Sequence, residues 1–317
     1  HHYDLTPEGN AQFAKLNYGQ LIVVTDQDLD GHNICGLCCA NILSFWPALL
    51  KRGFLKKMNT PIIRVLLAGS GKSSSRSKEF FSIQDYNDWS TSASKHTAKY
   101  CKGLGSNNRD ESISMFSGIE KKLIALAEDE KTFINLHNYY GRDPEVRKRI
   151  LIRRNSEKAL QSTATLSEFL ETNVHEYQRY NIARKIPSLY DGLTLAKRKA
   201  LFAAIKELSD SAKEIKVIQL TGAVIKHSAY HHGDASMNET ITKMAQTYPG
   251  AKILPPFLPE GQVGSFKKGG KDRAQARYVS VRLNRQLTRL NYPKEDQYVL
   301  DYEFDEGDAD GGFGHDM

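Results

Sequence analysis

No apolar stretch of this 317-residue chain approaches the roughly 18 residues that a membrane-spanning helix requires. No signal peptide is visible either, so neither a membrane partner nor export is expected. Cysteine is scarce: Cys35, Cys38, Cys39 and Cys101 are the four. Cys35-x-x-Cys38 resembles half a zinc site, yet no second pair follows at a usable distance. Buried free thiols in a reducing, intracellular compartment are therefore expected. Lys and Arg are absent from residues 301–317, which carry seven acidic side chains. The preceding 300 residues thus hold 44 basic residues against 30 of the 37 acidic ones, a surplus of 14. A basic body of that size favours a polyanionic partner such as nucleic acid.

What is present, 40% hydrophobic and 26% charged residues with a mean hydropathy of −0.51, is the composition of a soluble globular protein. The length allows two cores. His1-His2 is set aside as a tag remnant.

The most informative stretch is Leu21-Ile-Val-Val-Thr-Asp-Gln-Asp-Leu-Asp-Gly31. Its apolar run reads as a buried strand feeding three alternate aspartates, Asp26, Asp28 and Asp30. Ile34, Leu37, Cys38, Leu43, Phe45, Trp46, Leu49 and Leu50 then recur at roughly helical spacing. The carboxylates therefore sit in a strand-to-helix turn, where open α/β sheets place ligands. Two carboxylates about 5 Å apart repel by roughly 3 kcal/mol at an effective dielectric near 20. Three crowded together call for a cation, and all-oxygen donors suit Mg²⁺ or Mn²⁺. An EF-hand loop shares the Asp-x-Asp-x-Asp-Gly opening, but it needs a glutamate where this chain has Leu37. The bland alternative is three solvated aspartates in a surface turn.

Further on, a short strand is expected after Gly53, and Pro61–Leu67 and Glu79–Ile83 read as two strands. Gly69-Ser-Gly-Lys-Ser73 between them lacks the first glycine and the helix of a P-loop, so it reads as a flexible hairpin tip. His96–Gly105 reads as a strand entering a glycine turn, with a helix expected over 110–127. The charged stretch 143–155 reads as a solvated helix, and 166–183 as a helix leading into a second domain. There a helix over 195–208 carries Lys197, Arg198 and Lys199, and helices over 221–229 and 235–246 flank His231-His232-Gly233. Arg277–Leu283 alternates with period two and reads as a strand. Helices followed by a basic ribbon match a helix-turn-helix with a β wing, a shape that docks on duplex DNA. Tyr278 stands beside Arg277, with Lys267, Lys268, Lys271, Arg273 and Arg282 nearby. A phenol is a poor nucleophile unless a cation or base helps remove its proton, and the same cations can hold a phosphodiester.

Five ordered motifs carry a family resemblance over residues 20–305. Thr25-Asp-Gln-Asp-Leu-Asp-Gly-His-Asn-Ile-Cys-Gly-Leu37 and Tyr100-Cys-Lys-Gly-Leu-Gly105 resemble the TOPRIM domain of eukaryotic-type (type IIA) DNA topoisomerase II. Ala183-Arg-Lys-Ile-Pro-Ser-Leu-Tyr-Asp-Gly-Leu193, Ala229-Tyr-His-His-Gly-Asp234 and Gly269-Gly-Lys-Asp-Arg-Ala-Gln-Ala-Arg-Tyr278 resemble its winged-helix part. The implied fold is α/β and α+β multidomain: a TOPRIM domain with a Rossmann-like parallel sheet over 1–150, a linker helix over 151–183, a winged-helix domain over 184–305 and an acidic tail over 306–317.

The resemblance implies a double-strand break made and resealed by transesterification. Tyr278 would attack DNA and stay joined to the 5′ end, Arg277 would steady the phosphate, and His232 and Arg184 would contact phosphate or the leaving oxygen. Asp26, Asp28 and Asp30 would hold Mg²⁺, with Mn²⁺ or Ca²⁺ as substitutes. Lys102, Lys197, Arg198, Lys199 and Lys271 would contact DNA. The resemblance further implies a homodimer sharing its active sites, ATP bound outside this chain, and a nuclear enzyme, or one of host cytoplasm or virion if viral. Thr194 stands where the family has a phosphate-contacting lysine, and the family's upstream TOPRIM glutamate has no counterpart here. Those departures motivate the competing expectation of a DNA-binding scaffold that does not cleave. A type IIB-like nuclease is disfavoured because it places the winged helix before TOPRIM.

Overall fold

Thr6, whose hydroxyl accepts from the Gly9 amide, and Pro7 start the short helix α1 (Pro7–Phe13). The apolar run ahead of the acidic turn forms β1 (Leu21–Val23), and α2 (Leu29–Phe45) follows the turn. This computed structural model describes residues 3–67, 77–91, 96–101, 103–153, 163–208, 213–251 and 254–298. The Gly69–Ser73 segment, Lys102 and the acidic tail lie outside them. The chain divides into two units between Ile182 and Ala183.

In the first unit the expected single helix through Leu50 is broken. Pro47 cannot donate to the preceding turn and instead opens α3 (Pro47–Lys51). The apolar face of α2 also differs from the expected stripe. Cys35, Cys39, Ile42 and Leu43 are buried, whereas Ile34, Leu37 and Phe45 are exposed. The thiols at 35 and 39 are free.

Next come β2 (Leu55–Met58), β3 (Ile63–Leu67), β4 (Ser77–Phe80), α4 (Ile83–Ser90), β5 (His96–Tyr100) and α5 (Arg109–Phe116). The helix expected as far as Ala127 stops at Phe116, since Gly118 takes a left-handed φ of 65°. Leu123–Ala127 is instead strand β6, whose apolar residues are buried on both faces. Then follow α6 (Thr132–Tyr140), α7 (Pro144–Leu151), β7 (Thr163–Thr165), α8 (Leu166–Phe169) and α9 (His175–Lys185), with a π turn at Leu170–Val174 joining the last two.

The main sheet has the order β1-β2-β6-β7. β1 runs parallel to β2 and β6 to β7, but β2 and β6 are antiparallel, so the sheet is mixed rather than wholly parallel. β4-β3-β5 form a separate antiparallel sheet. Leu166, Phe169, Leu170 and Val174 are fully buried in the core of this unit with Leu50, Leu55 and Leu126. Each such side chain contributes about 1.5–3 kcal/mol by leaving water.

The second unit starts within α9. It contains α10 (Leu195–Leu208), β8 (Ile215–Lys216), α11 (Val217–His227), α12 (Asp234–Met244), β9 (Phe257–Glu260), β10 (Ser280–Leu283) and α13 (Arg285–Asn291). Ala200, Leu201, Val217, Leu220, Val224, Met237, Ile241, Phe257 and Val281 close one core between the helices and the sheet. The strands pair antiparallel in the order β8-β10-β9. Three helices backed by a three-stranded wing are a winged helix. The strand expected from Arg277 begins only at Ser280, because Tyr278 turns back to donate its amide to the Gln275 carbonyl at 2.8 Å.

Candidate functional site

In the first unit the acidic turn is held by backbone amides. The Leu104 amide donates to Asp26 Oδ1 and the Gly31 amide to Asp28 Oδ1, each at 2.7 Å. Gly103 permits the first contact, since a Cβ there would stand 3.3 Å from both Asp26 carboxylate oxygens. Asp28 is thereby the N-cap of α2, and Asp30 lies in its first turn, where the helix dipole favours negative charge. These contacts relax the crowding inferred from the sequence. Among the described residues no three His, Cys, Asp or Glu side chains stand together as a metal-holding group. A closed three-carboxylate cage is therefore not formed. What remains, carboxylates on an exposed turn, fits a hydrated ion of the Mg²⁺ type, which takes one or two carboxylates and keeps several waters.

Beneath the turn lies a polar group that the sequence did not announce. Lys57 is 1% exposed and donates to Gln27 Oε1 at 3.0 Å, and Thr60 donates to the same oxygen at 3.2 Å. Burial pushes the Lys57 ammonium below its ordinary pKa. The one signal available was its position two residues after Leu55 in β2, on the same buried face. His32 is also buried, edge-on to Phe169 and 3.4 Å from the Asn173 amide nitrogen of the π turn. Burial first, and the Lys57 charge second, push its pKa down to about 3. An unfolded histidine takes up its proton near pH 6.5, so the unfolded state binds more protons between about 6.5 and 3. Stability is then complete above pH 6.5 and is lost as pH falls. At pH 5 the first unit is expected to lose about 2 kcal/mol relative to pH 7. Urea unfolding at the two pH values checks this, and an equal midpoint in wild type and His32→Leu would contradict it.

In the second unit the other candidates are placed by the helix-turn-helix and the wing. Arg184, in the last turn of α9, points its Nη1 at His232, 3.1 Å from Nε2 and 3.4 Å from Nδ1. A guanidinium only donates, so the imidazole presents a lone pair to it. The His232 ring also meets Tyr230 edge-on at 5.4 Å. Tyr278 is 68% exposed in the turn before β10, and the Arg277 guanidinium lies 4.9 Å from its ring centre. That contact is a cation–π pair within one dipeptide.

The expected DNA contacts divide into different kinds. Lys271 is exposed beside the wing turn. Lys197 is half-buried on α10. Arg198 is engaged with Asp191, two of its nitrogens standing 2.8 and 3.1 Å from Oδ2. Lys199 points to the Ala229 carbonyl oxygen at 3.5 Å.

Comparison with known proteins adds the following. Residues 58–182 match the family of the C-terminal associated domain of TOPRIM, and residues 184–310 match the DNA gyrase/topoisomerase IV family. A DNA topoisomerase 2 of African swine fever virus is 37% identical over 307 residues, covering 93% of this chain and 25% of that protein. The DNA topoisomerase 2 of Arabidopsis thaliana is 38% identical over 303 residues, covering 92% and 20%. Among solved structures, the DNA-binding, cleavage and re-ligation domain of Plasmodium falciparum topoisomerase II matches with a TM-score of 0.73 and 35% identity, over 93% of this chain and 40% of that one. The chain thus spans about a quarter or less of the length of these full-length relatives.

Proposed function

This chain belongs to the type II DNA topoisomerases as a central fragment, and on that premise we propose that it forms the DNA-cleavage and religation core of an ATP-dependent enzyme that passes one duplex through another. The observation that carries this reading is the exposed Tyr278 phenol with the Arg277 guanidinium over its ring. The Tyr278 oxygen attacks a DNA phosphodiester, an O–P bond to tyrosine forms, and the bond from phosphorus to the 3′ oxygen breaks. The phenolic proton leaves and the 3′ oxygen departs as a hydroxyl. Resealing is the reverse, and because one ester replaces another it consumes no nucleotide. Arg277 holds the phosphate and steadies the charge that builds on it. His232, oriented by Arg184, serves the phosphate or the leaving oxygen.

Asp26, Asp28 and Asp30 hold a hydrated Mg²⁺ in this reading. When bound, the ion supplies charge stabilisation at the departing 3′ oxygen. The active protein is a homodimer whose tyrosine and acidic turn act from opposite protomers on duplex DNA. Lys102, Lys197, Lys271 and the neighbouring basic groups contact that DNA. ATP binds outside this chain. The enzyme works in the nucleus of a cell, or in host cytoplasm or virion if viral; no helix among the described residues is long and apolar enough to cross a membrane.

The test is to mix the full-length parent with supercoiled plasmid and Mg²⁺ and quench with SDS. DNA carrying protein on its 5′ ends is the expected product. Salt-sensitive binding with no covalent product would sink the cleavage reading and leave the scaffold.

A further inference from the structure

The turn between α11 and α12 presents His232 from a conformation that neither helix requires. Ser228 caps α11, and Ala229 then takes a φ of 46°, one of two non-glycine residues with positive φ among those described. The position after a helix end favours glycine, because the Cβ of an L-residue in the left-handed region crowds the next carbonyl. Alanine stays there only if its surroundings enforce it. Two neighbours are placed to do so. Tyr230 is 5% exposed in the core of the second unit and meets the His232 ring edge-on. Lys199 aims its ammonium at the Ala229 carbonyl oxygen across 3.5 Å, a long but charge-assisted contact. Lys199 rises from α10 beside Ala200, Leu201, Ala203 and Ala204, all essentially fully buried, so its stem is rooted in a rigid element.

We propose that Lys199 is a positioning residue: its ammonium holds the Ala229 carbonyl in the left-handed turn and thereby, through the anchored Tyr230, fixes the His232 imidazole against Arg184. The inference rests on the reading of His232 as an active-site group. It gives Lys199 a role different from the DNA phosphate contact expected from the sequence. A phosphate contact acts on affinity, whereas a clamp acts on the geometry of one imidazole.

The two roles separate in a rescue experiment on the full-length parent, using Lys199→Met, Ala229→Gly and the double variant. Glycine adopts a φ near 46° without a Cβ penalty, so the double variant no longer needs a clamp. Lys199→Met is expected to slow single-turnover formation of the SDS-trapped adduct about ten-fold. DNA affinity and its salt dependence stay unchanged in that variant, and the double variant recovers most of the rate. Loss of DNA affinity with a salt slope lowered by about one, unrescued by glycine, is the signature of a phosphate contact and overturns the proposal.

A second readout needs neither DNA nor cleavage. Modification of His232 by diethyl pyrocarbonate is expected to accelerate in Lys199→Met and to return towards wild type in the double variant. Should the wild-type parent form no adduct, the cleavage reading fails, and these rates alone decide the clamp. Equal rates in wild type and Lys199→Met overturn it.

Discussion

Replacing Tyr278 by phenylalanine is expected to abolish the protein–DNA adduct while DNA binding persists. The substitution removes one oxygen, the atom proposed to bond phosphorus, and leaves the ring over which Arg277 lies. The local backbone does not depend on the hydroxyl. The Tyr278 amide donates to Gln275, and the Ala276 carbonyl accepts from the Ile218 amide at 3.3 Å, tying the turn to α11. The phenol is 68% exposed, so its loss opens no cavity. Removing a covalent nucleophile from a preorganised site lowers the rate by at least about 10⁴-fold. SDS-trapped adducts measured beside a DNA-binding isotherm check the result. Adducts in the variant at wild-type yield would move the nucleophile elsewhere.

The second large effect is expected from Gly31→Ala. In an ordinary helix this exchange stabilises, since alanine is favoured over glycine by about 1 kcal/mol. Here the sign reverses. A Cβ on Gly31 would stand 2.0 Å from the Asp26 carbonyl oxygen and 3.1 Å from the Thr25 hydroxyl. The first of these is backbone and cannot rotate away, so the strand-to-helix turn itself must open. That movement also disturbs the contact from the Gly31 amide to Asp28 and the one from Leu104 to Asp26. A loss of about 3 kcal/mol is expected, at the upper end for overpacking. Thermal unfolding with and without Mg²⁺ measures both consequences, a lower midpoint and a smaller shift on adding the ion. A variant as stable as wild type would mean that the turn is looser than its contacts imply.

Much of the frame was legible because it is local. The β1 strand, the acidic turn and α2 follow from an apolar run meeting polar residues and then helical spacing. The helix over 195–208 has the same bounds as α10, since an uninterrupted 14-residue segment of good helix formers leaves little choice. Where local patterns compete, the sequence misled. Leu123–Ala127 is a short apolar run that periodicity alone cannot assign to helix or strand, and pairing on both edges with β2 and β7 made it β6. The face of α2 was misjudged because apolar residues lie on both sides of that helix, and only contact with the sheet selects Cys35 and Cys39 over Ile34 and Leu37.

The sequence by itself determined the inventory of chemistry: aspartates after a strand, a tyrosine beside an arginine among lysines, and a histidine pair before a helix, in an order that resembles one family. Residue type and short spacing suffice for that. Only the tertiary structure decided what each group is engaged with. It set Arg198 on Asp191, turned Lys199 towards Ala229, buried Lys57 beneath Gln27 and joined Arg184 to His232. Most of these partners stand 30 or more residues apart in the chain, and a charge has no preference among distant partners until packing brings one within about 3 Å.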